Sequence, residues 1–236
     1  MRLDRFLSEM NLGSRSDLKK EIRRGAVTID GTVVKDPSVS VLPNSIVTYH
    51  GKPVTYSEYQ YYIINKPSGV VTATEDKRHQ TVIDFLPEGA RKDIFPVGRL
   101  DIDTEGLILL TNNGALSHKM LAPKSHVDKK YYAKIKGVVT EEDVESFKVG
   151  FKYDEDLISL PATLEILGSG PGTSEVYVTI HEGKFHQIKK MFIARGMEVT
   201  YLKRVTFGPL ELPEELSQGD CRELNKIELE TLKEYM

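Results

Sequence analysis

The sequence predicts an α+β protein: a largely antiparallel, mixed-sheet domain preceded by a small unit of two helices and a hairpin. Three observations predict it. Strand-like segments outnumber helical ones and are not regularly interleaved with them, which argues against a doubly wound parallel sheet. Residues 1–48 carry helical spacing followed by a hairpin signal, and a polar stretch over 49–59 with little hydrophobic periodicity separates them from residues 60–236. A chain of 236 residues with 39% hydrophobic content has enough apolar surface for a real core.

In the first unit, Leu3, Phe6, Leu7 and Met10 follow helical spacing, and Asn11-Leu12-Gly13 stops that helix. Ser14 can cap a second helix running to Arg24 before Gly25. Val27-Thr28-Ile29 and Val33-Val34-Lys35 then flank Asp30-Gly31, a strong hairpin signal. On the second helix Arg15, Lys19, Lys20, Arg23 and Arg24 share roughly one half-turn, with Leu18 and Ile22 on the apolar edge. Such a stripe is a solvated face or a phosphate-contacting helix. The net charge of −3 does not decide between them. Residues 209–236 hold eight acids against three bases, so the rest of the chain is slightly basic and local clustering matters more than the total.

Beyond the linker, Tyr61–Asn65 reads as a strand ended by Lys66-Pro67-Ser68-Gly69, and Val70–Ala73 resumes extended structure. Further strands are expected at residues 107–110, 130–135, 162–167, 174–180 and 199–205, and helices at 81–85, 115–121, 141–148 and 186–195, the last ended by Gly196. The polar start Met1-Arg2-Leu3-Asp4-Arg5 lacks the apolar region of a signal peptide, and no apolar run is long enough for a membrane span. A single cysteine, Cys221, cannot form an internal disulfide, so a cytoplasmic location is expected.

The densest polar stretch is Gly98-Arg99-Leu100-Asp101-Ile102-Asp103-Thr104-Glu105-Gly106-Leu107, before the apolar run Ile108-Leu109-Leu110. Several chemistries compete for its acids. An EF-hand loop fits the first six positions, but position twelve is Asn112 where a bidentate Glu is required. The aspartate-nucleophile phosphotransferase pattern D-x-D-x-T/V has Glu105 at its last position. His181-Glu182-Gly183-Lys184-Phe185-His186 is one residue too long for a zincin helix and carries Gly183 inside it, so no metal site is expected. Gly168-Ser169-Gly170-Pro171-Gly172 lacks the Gly-Lys-Ser/Thr ending of a phosphate loop and reads as a hairpin connection.

Two resemblances resolve the stretch. RLDRFLSEMNLGSRSDLKKEIRRGAVTIDGTVV, within residues 1–48, resembles an S4 RNA-binding domain. Asn65-Lys66-Pro67-Ser68-Gly69-Val70, G-R-L-D-x-x-T-x-G-L at 98–107, Lys129-Lys130-Tyr131-Tyr132-Ala133 and the run Glu182–Phe192, in that order, resemble the motifs of the RsuA/RluB/RluE/RluF family of ribosomal RNA pseudouridine synthases. The second resemblance spans essentially the whole chain. It implies that Asp101 is the catalytic aspartate, that Tyr131 packs against the target uracil, and that Lys189 pairs with the catalytic carboxylate. It also implies that Arg99 helps occupy the space left by the flipped nucleotide and that Leu202 lies near an apolar pocket position. Lys66, Pro67 and Gly69 fall on an architectural motif, with Asp103, Thr104 and Glu105 supporting the loop. Of the adjacent pair Tyr131 and Tyr132, strand alternation lets only one face the cleft.

Uridine isomerisation breaks the N1–C1′ bond and joins C5 to C1′ with no net redox change, so no cofactor is expected. A single carboxylate attacks the uracil ring or the sugar C1′, and on either route a neighbouring cation keeps an enclosed acid ionised. The uridine must leave its stack at a cost of a few kcal/mol. Phosphate contacts from the basic S4 helix and from Lys189, Lys190, Arg195, Lys203 and Arg204 can offset that cost. The expected partner is ribosomal RNA within an assembly intermediate, met by a monomer. The short C-terminus and the close match of G-R-L-D-I-D-T and H-Q-I-K-K-M-F favour the family branch acting on small-subunit 16S rRNA. Modification of 23S rRNA and a catalytically silent assembly factor are the alternatives.

Overall fold

In the computed structural model, which describes residues 1–236, the spacing of Leu3, Phe6 and Leu7 becomes helix α1 (Leu3–Glu9). Helix α2 (Arg15–Arg24) begins where the Ser14 hydroxyl accepts the Asp17 N–H, and it ends at Gly25 in the left-handed region. Strands β1 (Val27–Ile29), β2 (Thr32–Val33), β3 (Val47–Tyr49) and β4 (Lys52–Val54) form an antiparallel sheet in the order β2-β1-β3-β4. Leu3, Leu7, Leu18, Ile22, Val27 and Val47 close its core. Asp4 is fully buried and accepts from Arg2 and Arg15, with Lys19 Nζ at 3.8 Å. The Arg2 hydrogen bond, with help from Arg15, holds this carboxyl below its ordinary range despite burial.

Residues 49–59, expected as a linker, instead carry β4, which pairs with β3, and Tyr56, which stacks on Phe6 at 5.5 Å. Pro53 obscured the strand signal; it is tolerated because β4 is an edge strand. This first unit comprises Met1–Gln60 together with Pro87–Ile94. In the second segment Arg91 is nearly buried, pairing with Glu9 at 3.3 Å and Asp93 at 2.8 Å, and its N–H donates to Gln60.

The second unit, Tyr61–Leu86 with Phe95–Met236, is built on a mixed sheet. In chain order its elements are β5 (Tyr61–Lys66), β6 (Phe95–Pro96), β7 (Glu105–Thr111), α3 (Gly114–Leu121), β8 (Lys129–Lys136), α4 (Glu141–Val149), β9 (Lys152–Asp154), β10 (Leu157–Ile158), β11 (Thr163–Gly170), β12 (Thr173–Ile180), α5 (Gln187–Ala194), β13 (Glu198–Phe207), β14 (Leu210–Glu211), β15 (Cys221–Glu223) and α6 (Lys226–Thr231). The main path runs β11-β12-β8-β13-β7-β5-β15, and every pair is antiparallel except β13 with β7. Residues 81–85, expected as a helix, form a 3-10 turn over Val82–Phe85, and 70–73 contributes only a bridge from Val71 to Thr81.

Leu107, Leu109, Ile63 and Phe207 join Leu116 and Met120 of α3 in one core. Phe147 of α4 meets Phe192 of α5 at 5.2 Å in another packing contact. No helix is long and apolar enough to cross a membrane.

Candidate active site

The loop over 97–104 joins β6 to β7 and is tied down from beneath by Lys66. This lysine, at the end of β5, is wholly buried, and its ammonium donates to the carbonyls of Pro67 (3.1 Å), Ile102 (3.1 Å) and Thr104 (2.7 Å). Three N–H donors on one nitrogen match three converging acceptors. Burial pushes the Lys66 ammonium down to about 8, against the pull of Asp103, Glu105 and Asp101. Further ties come from the Gly69 N–H to Ile102 O (2.8 Å), from Thr72 Oγ1 to Leu100 O (2.9 Å), and from the Thr104 N–H to Asp101 O (3.1 Å).

At the loop's exit Gly106 pairs with Arg204 of β13, the parallel step of the sheet, with φ +101° and the Arg204 backbone where a Cβ would stand. Glu105 accepts from Tyr201 Oη and Gln218 Nε2, each at 2.5 Å. Both observations give the tail of the motif a mechanical explanation: a glycine for close approach, and an acid that binds the loop to β13 and to the segment before β15.

Opposite the loop, α5 begins at His186, whose φ of 53° is in the left-handed region. Gln187 is buried; its Oε1 accepts the Lys184 N–H and its Nε2 donates to Glu182 at 2.6 Å, which fixes this turn. His186 and Lys189, three residues apart on one helix face, both point to the loop. Lys189 Nζ lies 3.3 Å from Asp101 Oδ2 and 2.6 Å from Asp103 Oδ1. His186 Nε2 lies 3.6 Å from Asp101 Oδ1. Partial burial pushes the Asp103 carboxyl up, but the hydrogen bond and charge of Lys189 outweigh it and hold the group below its ordinary value.

Asp101, Arg99, Tyr131, Lys189 and Leu202 line one open cleft. Thr104 lines it too, and its buried hydroxyl has no partner in the protein. Tyr131 turns into this cleft, whereas Tyr132 takes the opposite face of β8, where it donates to Glu175 at 2.6 Å and stands edge-on to Tyr177 and Tyr201. Arg204, paired in register with Tyr131, is fully buried. Its Nε donates to Leu107 O at 2.8 Å and its guanidinium lies 4.7 Å over Phe207. Burial lowers its pKa, and the Tyr131 side chain opposes that shift.

The structure does not bring every expected cation to the cleft. Arg204 cannot reach a phosphate, because it is fully buried, although strand alternation puts it on the same face of β13 as Leu202. Lys203 takes the other face of β13, beside Tyr132 in register. Lys190 leaves the cleft lining and pairs with Asp154 at 2.5 Å, and Arg195 pairs with Asp143 and Glu142. On α2, Arg15 and Lys19 gather on Asp4, Lys20 pairs with Asp17 and Arg24 with Glu21, which leaves the helix basic but partly self-neutralised. Within the quoted motifs, sequence reasoning missed His186 as a neighbour of the carboxylate; its i, i+3 spacing to Lys189 was the available signal. His181 pairs with Asp128 at 2.7 Å, so the two histidines of the rejected zincin pattern serve different partners.

The chain matches the RNA pseudouridylate synthase family model over residues 60–194 and the S4 domain over residues 1–47. It is 45% identical over 236 residues to an uncharacterized RNA pseudouridine synthase of Bacillus subtilis (strain 168), covering 99% of both chains. It is 37% identical over 231 residues to the ribosomal small subunit pseudouridine synthase A of Salmonella typhimurium, covering 97% of this chain and 98% of the relative. Among solved structures, a crystal structure of a pseudouridylate synthase is similar with a TM-score of 0.69 and 36% identity, over 98% of this chain and 99% of that one.

Proposed function

Because the chain belongs to the RNA pseudouridylate synthase family, we propose that it converts a single uridine of 16S ribosomal RNA to pseudouridine with Asp101 as nucleophile. The reading of the site rests above all on one observation: Asp101, ion-paired to Lys189 at 3.3 Å, stands in the same cleft as Tyr131 and Leu202.

The chemistry follows from those residues. The flipped uracil enters between Tyr131 and Leu202, which supply an aromatic and an apolar wall. The Asp101 carboxylate attacks the ring or C1′, the N1–C1′ bond breaks, the base turns, C5 bonds to C1′, and the C5 proton leaves while N1 gains one. Lys189 stabilises the ionised Asp101 before attack and as it is released. Arg99, exposed at the cleft edge, fills the gap that the uridine leaves in its stack. The basic α2 face contributes phosphate contacts. The substrate is RNA in a partly assembled small subunit, where unstacking costs less, and the protein works there as a cytoplasmic monomer.

The test is a map of pseudouridines in rRNA from cells with the gene, without it, and with Asp101→Asn. Loss of one 16S site in the deletion strain, restored by the wild type and not by the variant, is the expected result. Persistence of every site in the deletion strain overturns the synthase reading, and a lost 23S site redirects it.

A further inference from the structure

Phe185 has 70% of its surface exposed, and in the chain it sits between Lys184 and His186, which both line the cleft, the second lying beside Asp101. Its ring is parallel to the His186 imidazole, with centroids 3.8 Å apart and an interplanar angle of 20°. The stack depends on an uncommon backbone: His186 is held at φ 53°, ψ 30° by the turn that opens α5. Lys190 Nζ lies 5.8 Å from the Phe185 centroid. Packing gives no reason for this arrangement, since an aromatic ring so exposed contributes little to the core. An exposed π-face backed by a second ring, with one lysine nearby, has the chemistry of a base-stacking platform.

We propose that Phe185, backed by His186, stacks the base of a nucleotide adjacent to the flipped uridine and so holds the RNA in register over Asp101. This rests on the synthase reading above and adds to it a contact outside the uracil pocket. His186 bridges the two places, because its Nε2 reaches towards the Asp101 carboxylate at 3.6 Å while its ring face carries Phe185. Arg99 and Phe185 then have separate tasks: one fills the vacated stack, the other supports a base beside it.

The experiment uses the full-length protein and a 16S rRNA fragment carrying the mapped uridine, with each flanking nucleotide in turn intact or abasic. Binding and single-turnover rates are measured for the wild type, Phe185→Ala, Phe185→Leu and Phe185→Trp. Base–aromatic stacking predicts that Ala and Leu weaken binding to intact RNA by roughly 5- to 150-fold, while Trp retains it. Removing the stacked base should cost the wild type a similar factor and cost Phe185→Ala almost nothing further. The proposal is overturned if Phe185→Ala binds intact RNA as the wild type does. It is also overturned if the Ala defect is undiminished on both abasic RNAs, or if Leu serves as well as Phe. Persistence of every rRNA pseudouridine in the deletion strain would bring down the synthase reading as well; an active wild type with a neutral Phe185 brings down the platform alone.

Discussion

Lys66→Met separates what a buried cation does for stability from what it does for catalysis. Three hydrogen bonds disappear in this variant. The Thr104 carbonyl is the buried one of the three acceptors, and leaving such a group unmade costs about 1–3 kcal/mol. Water can reach the Pro67 and Ile102 carbonyls, which are partly exposed at their bonds to Lys66. Against this, the ammonium is held in place at a cost. A pKa of about 8 in place of 10.5 corresponds to about 3 kcal/mol disfavouring the charged form, and Met removes that cost. The two effects nearly cancel, so unfolding by denaturant at pH 7 should change by only about 1 kcal/mol.

Catalysis should not be spared. Two of the three bonds, to the Ile102 and Thr104 carbonyls, hold the loop that presents Asp101, and a misplacement of about 1 Å at a reacting group costs on the order of 100-fold. Tritium release from rRNA labelled at uridine C5 reads turnover directly, because the C5 proton leaves during isomerisation. Lys66→Arg should fail similarly, since a planar fork does not fit three carbonyls that converge on one nitrogen. Near-normal turnover in Lys66→Met, or a loss of several kcal/mol in stability with normal activity in the folded fraction, refutes this account of the loop.

In the folded protein Lys66 gives up its proton near pH 8, while the unfolded chain keeps it to about 10.5; wild-type stability should therefore rise across that window relative to Lys66→Met, as read by denaturant midpoints. Gly106→Ala puts a Cβ against the Arg204 backbone at a positive φ and should destabilise by about 3 kcal/mol or more; a thermal midpoint matching the wild type contradicts the close approach of β7 and β13. Neutralising Lys19, Lys20, Arg23 and Arg24 together should weaken RNA binding and flatten its log–log salt dependence by up to about 3, with unchanged affinity at every salt concentration counting against the α2 surface.

Elements with a strong local signal were legible in the sequence. Asp30 and Gly31 both take positive φ, which is what an Asp-Gly hairpin turn demands, and Ser14 and Gly25 bracket α2 as cap residues do. Tyr131 and Tyr132 were separable only as alternatives, and the pairing of β8 with β12 and β13 decides which faces the cleft. The short elements β9, β10, β15 and α6 carry too few residues for a period to show. Arg204 looked like a phosphate ligand because charge is visible in a sequence and its burial is not. The parallel pairing of Gly106 with Arg204 joins residues far apart in the chain, so no local pattern announces it. At the candidate site the residues themselves came from ordered motifs, but the division of Lys189 between Asp101 and Asp103 belongs to three-dimensional geometry.

The excursion of Pro87–Ile94 into the first unit bears on how such proteins can be cut and recombined. A truncation starting at Tyr61 would not yield the second unit alone; it would carry away Arg91 and strand it without Glu9 and Gln60. A graft of residues 1–60 onto another catalytic unit would equally lack its own Arg91. The RNA-binding unit is therefore not a detachable cassette in the linear gene, and a working exchange between relatives must move two segments together.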